Sequence, residues 1–203
     1  MIDKLTPQQE AQIQVYLKKW LDIGYRVDSI DKTKAVDAVH FFYEKILKIS
    51  TPEIHFVSSP KQAQLLCNKL VHGINENSEK KVEYFNIARS NWWMSYYAFY
   101  DYVLHVLFPE KVNEFQQFTE FLEHSKNFHM LWTFDKFTIV CDFPCAINLD
   151  EEHKLHSNFT GALIYRDEYQ LYSVNGETMK KDVWLDKTKQ YHSSLGKEVF
   201  KKL

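Results

Sequence analysis

The chain of 203 residues is 45% hydrophobic and 26% charged, a globular balance that excludes wholesale disorder. Five glycines and five prolines are few for a sandwich of short strands and tight turns, and point instead to several long helices. A formal net charge of −2 excludes a generally basic nucleic-acid binder. The opening MIDKLTPQQE has no apolar h-region, and the odd set Cys67, Cys141 and Cys145 is no disulfide framework, so a reduced cytoplasmic setting is expected.

Thr6-Pro7-Gln8-Gln9 reads as an N-cap, a proline at the first helical position and a capping-box glutamine. Ile13, Tyr16, Leu17, Trp20 and Leu21 then recur at the spacing of one helix face, and Gly24 is expected to close the helix in a left-handed conformation. A second helix is predicted over 31–48, with Val36, Val39, Tyr43, Ile46 and Leu47 inward. Residues 53–57 read as a strand, with Ile54 and Phe56 on one face. Ser59-Pro60-Lys61-Gln62 repeats the capping pattern and starts a third helix that runs to about 72. The polar run 73–81 reads as a loop.

Residues 91–108 form a helical stretch that is apolar almost all round, which places it at the centre of the helical layer. Asp101 and His105 interrupt it, and its apolar run is too short for a bilayer, so no membrane partner is expected. An amphipathic helix using Phe115, Phe118, Phe121 and Leu122 is predicted over 110–126. Short β-like runs follow at 137–141, 145–149, 162–166, 169–174 and 177–180. Asn175-Gly176 is a type I′ hairpin signal, setting Tyr172 opposite Met179 and Val174 opposite Glu177. Helices followed by strands predict one α+β domain over 1–203, mainly helical over 1–127 and β-hairpin over 128–203, with the helical layer packed on an antiparallel meander.

LTPQQE, VYLKKWLDIG, EIHFVSSP, YYAFYDYV, LWTFD, DFPCAI and KLHSNFTGALIYRDEYQLYSVNG occur in this order. In that ordered set the chain resembles an uncharacterised bacterial domain family, a domain of unknown function that implies no enzyme activity and no cofactor. Leu155, His156, Gly161, Tyr165, Asp167, Tyr172, Asn175 and Gly176 also resemble one unit of hairpin repeats of the form L-H…G-P-A…Y-x-D-G…Y-x-x-N-G. The chain departs from that pattern at Ala162-Leu163 and at Glu168, where glycine would ease the turn. One unit makes no solenoid.

Cys141 and Cys145 with His153 and His156 have the atom types of a zinc site, but their spacing is not that of a zinc knuckle, and no metal is expected. Tyr97, Asp101 and His105 share one helical stripe, so Asp101 and His105 are candidates for acid–base chemistry, with a buried structural network as the alternative. His156, beside Asp150, Glu151, Glu152 and His153, is a third catalytic candidate, against a solvated loop. Trp92-Trp93 could stack bases, though core packing explains them as well, and a nucleic-acid role ranks last. The stretch 177–203, with seven lysines against four acids, is a modest basic patch. The leading expectation is a non-catalytic protein-binding or adaptor module using Tyr169, Leu171 and Ser173 on its β face. The alternative is a small enzyme or ligand-binding protein with a pocket around Asp101, His105, Trp132 and His156.

Overall fold

Thr6 forms the expected capping box: its hydroxyl accepts from Gln9 N–H at 3.2 Å, and Gln9 Oε1 accepts from Thr6 N–H at 2.9 Å. This box opens α1 (Pro7–Gly24) in a computed structural model that describes residues 4–73, 87–89 and 94–194. The class is α+β, and the chain divides into two compact units, Met1–Phe143 and Pro144–Leu203. The loop expected at 73–81 lies, beyond Gly73, outside the described residues, as do Trp92 and Trp93.

In the first unit α1 is followed by α2 (Lys32–His40), whose N-cap Asp31 accepts from Thr33 and Lys34 N–H. The single helix expected over 31–48 changes winding at Phe41–Leu47, a π-helical turn that Lys48 closes at φ 60°. Next come β1 (Glu53–Val57) and α3 (Pro60–His72), capped by Ser59 and ended by Gly73 at φ 65°. A three-residue β2 (Ile87–Arg89) precedes α4 (Met94–Tyr102), which also passes into a π-turn, Val103–Leu107. The helix expected over 110–126 is shorter: Pro109–Lys111 is a 3₁₀ turn, and α5 spans Gln116–Ser125.

Two further strands, β3 (Met130–Thr133) and β4 (Phe137–Cys141), complete a sheet of order β1-β4-β3-β2. β1 runs parallel to β4, pairing Ile54 with Thr138 and Phe56 with Val140. This corrects the expectation that 137–141 opens one continuous antiparallel meander. Ala35, Ala38, Val39 and Tyr43 of the second helical stretch bury against Phe128, Leu131 and Val140. Trp20 forms a second core with Met94, Tyr97, Ala98 and Leu122.

Gly24 also plays a different part from the one expected. Left-handed glycines among the described residues are Gly73 and Gly176, and α1 is capped by Tyr25 at φ −92°. A Cβ on Gly24 would stand 2.7 Å from Met94 Cγ, so its missing side chain lets α1 approach α4.

The second unit holds the meander, β5 (Ala146–Ile147), β6 (Leu163–Ile164), β7 (Gln170–Val174) and β8 (Glu177–Met179), paired in that order. Asn175 at φ 51° and Gly176 at φ 84° make the positive-φ turn that a type I′ hairpin needs, and Tyr172 pairs with Met179 as expected. The strands end in α6 (Lys181–Ser194), a helix where only a lysine-rich patch was foreseen. Its Trp184 lies 4.8 Å from the Tyr172 ring, and its indole N–H donates to Ser157 O at 2.7 Å. Tyr172 thus packs on α6.

Candidate functional site

Asp101 is buried in α4, and three side chains satisfy its carboxylate. Lys19 Nζ and Trp20 Nε1, neighbours on α1, each donate to Oδ2 at 2.8 Å. His105 Nδ1 stands 2.9 Å from Oδ1 and 2.9 Å from the Asp101 carbonyl oxygen. The helical stripe therefore does bring Asp101 and His105 together. Tyr97 takes another direction: its ring packs 5.4 Å from Trp20 and 6.0 Å from Phe121, and burial pushes its phenol up to about 12. Lys19 and Trp20 were not foreseen as partners, although an indole on the inward face of α1 needs an acceptor somewhere.

The outer side of the same helix differs from expectation. A centrally placed helix would be covered all round, yet Tyr96, Phe99 and Tyr100 are 54%, 58% and 46% exposed. Here a cavity of about 680 Å³ opens, lined by Tyr100, Val103, Leu104, Phe108, Lys111, Phe115 and Phe118. That volume lies within the roughly 300–1,000 Å³ usual for small-molecule sites. Tyr100 meets Phe118 edge-on at 5.4 Å. Val103 and Leu104 belong to the π-turn, a winding often found beside functional sites.

The described lining residues are aromatic or aliphatic except Lys111, and Tyr100 brings a phenol. Lys111 donates to Glu114 Oε2 at 2.9 Å, and this bond, together with the charge of Glu114, raises the lysine's pKa. The cavity had no counterpart in the sequence reading. A signal was present in the apolar circumference of 94–108, of which Tyr96, Phe99 and Tyr100 remain exposed.

The remaining candidates have structural partners or separate locations. Trp132 lies in β3 with its side chain buried, and His156 belongs to the second unit. His156 Nδ1 accepts from Asn175 N–H at 3.1 Å and lies 2.8 Å from Asn175 Oδ1, while Gly176 N–H donates to Leu155 O. His156 therefore fastens the hairpin turn.

Ser173 is completely buried, which corrects its expected place on an open partner surface. Leu171 pairs with Leu163 and is half-buried, as is Tyr169, whose ring lies 5.8 Å from Tyr165. Cys141 is buried, its thiol donating to Asp142 O, whereas Cys145 is exposed. Among the described residues no three His, Cys, Asp or Glu side chains converge as a metal site would require. Nor is any helix among them long and apolar enough to cross a membrane. No family model, no curated protein and no solved structure matches the chain.

Proposed function

We propose that the protein is a non-catalytic binding module whose recognition element is the apolar cavity at α4 and α5. One contrast carries this reading. The groups with acid–base chemistry, Asp101 and His105, are joined to each other and to α1, while the cavity is walled by rings and aliphatic side chains. A site of that lining removes an apolar ligand from water without activating any of its bonds. Phe108, Phe115 and Phe118 supply rigid contact surface, and Tyr100 closes one side edge-on.

Nile red, a neutral apolar dye, tests the reading. Its fluorescence should rise saturably with one dye per chain, and Val103→Trp, which fills the cavity, should abolish the rise. Absence of saturable binding, or binding that Val103→Trp leaves intact, would overturn the assignment. A polypeptide partner is the second reading, favoured by the exposed rings of Tyr96 and Phe99 beyond the cavity lining. It requires that a Tyr96→Ser/Phe99→Ser double variant lose the partner while still binding dye.

A further inference from the structure

We infer that the α4–α5 cavity takes an apolar monocarboxylate of the acyl-chain type, its chain against the rings and its carboxylate on Lys111; this rests on the cavity being the binding site. Lys111 is the one charged residue among the described lining residues, and its half-exposed side chain holds its ammonium on the exposed Glu114, so the charge sits at the rim rather than in the apolar interior. Its present partner, Glu114, is more exposed still. An exchange of one carboxylate for another at an exposed lysine costs little, because such surface pairs contribute little. The ligand's chain then supplies the net gain by leaving water.

The neighbours of Lys111 also select the head group. Glu110 precedes it and Glu114 pairs with it, so two acids surround a single cation. A doubly charged phosphate would meet net repulsion there. A single carboxylate can replace the Glu114 carboxylate while that side chain turns to water, leaving the local charge balance no worse than one extra negative group. An uncharged alcohol of equal chain length gains the same apolar burial and lacks the ion pair.

Isothermal titration with decanoate, 1-decanol and decyl phosphate separates the alternatives. Decanoate should bind more tightly than decanol, and decyl phosphate more weakly than decanoate. Lys111→Met, which keeps an apolar stem against the cavity, should weaken decanoate about threefold relative to decanol, the size of a rim ion pair. Glu114→Gln removes the competing carboxylate and should tighten decanoate. Both substitutions are at exposed positions, and circular dichroism checks that the variants fold. Equal binding of decanoate and decanol, or a decanoate-to-decanol ratio that Lys111→Met leaves unchanged, would overturn the carboxylate assignment and leave the apolar cavity standing. Binding of none of the three, nor of Nile red, would instead remove the cavity reading itself.

Discussion

Trp20 on α1 donates its indole N–H to Asp101 Oδ2 on α4 at 2.8 Å, across residues 81 apart in the chain. Both groups are buried, and the bond joins the two helices that Gly24 and Met94 bring into close approach. Lys19 and His105 share the same carboxylate but are partly exposed, so water can serve them if it is lost. The indole has no such recourse.

Asp101→Ala should therefore cost about 1–3 kcal/mol, chiefly by stranding the Trp20 N–H. Urea denaturation followed by circular dichroism measures it, with dye binding to the cavity retained in the folded variant. An unchanged melting temperature would contradict the structural role and return Asp101 to the list of functional acids.

His129 predicts how stability depends on pH. Burial lowers its imidazole pKa from 6.5 to about 4. The unfolded chain takes up a proton below about pH 6.5, while the folded chain keeps this ring neutral until about pH 4. Stability is thus lost as pH falls through that window, by up to about 3 kcal/mol from this group. Urea midpoints at pH 7 and pH 4.5 should differ more in the parent protein than in His129→Gln. Equal slopes would show that other groups carry the acid sensitivity.

Local chemistry made the helix starts legible. Thr6, Asp31 and Ser59 cap within three residues of themselves, and Asn175-Gly176 sets its own turn. Non-local pairing was not legible. The parallel register of β1 on β4 joins segments some eighty residues apart, and Met130–Thr133 is a short apolar run without the alternation that marks a strand. α6 was hidden because little of its surface is apolar and buried: among its described side chains Trp184 and Thr188 are the buried ones. The same limit concealed the cavity. An all-round apolar helix reads as central, and only packing shows that the side carrying Tyr96, Phe99 and Tyr100 is exposed.

Thiol chemistry should distinguish the three cysteines. Burial pushes the Cys67 thiol up to about 11, and Cys141 is buried with its thiol donating to Asp142 O, so neither is open to a reagent in the folded protein. Cys145 is exposed. Ellman's reagent should titrate one thiol rapidly in the native protein and all three in urea, and Cys145→Ser should abolish the native reaction. Rapid native reaction of a second thiol would mean that α3 or β4 opens readily.

Glu168 supplies a stabilising substitution. It holds φ 64° in the turn between β6 and β7, a conformation that brings a side chain's Cβ against its own backbone. The turn is fixed around it: Glu168 N–H donates to Tyr165 O at 3.0 Å, Tyr165 N–H to Tyr169 O at 2.9 Å, and Tyr169 N–H to Asp167 Oδ1 at 3.3 Å. The exposed Glu168 side chain supports none of these bonds, which come from the backbone and from Asp167. Glycine relieves the left-handed strain and loses part of the gain through a more flexible unfolded chain, for a net stabilisation of about 0.5–1 kcal/mol. Alanine keeps the Cβ, so Glu168→Ala should give no such gain, and the difference between the two variants isolates backbone strain from lost charge. Thermal melts should rank Glu168→Gly above both the parent and Glu168→Ala; a glycine variant no more stable than the alanine one would show that the turn bears no strain at this residue.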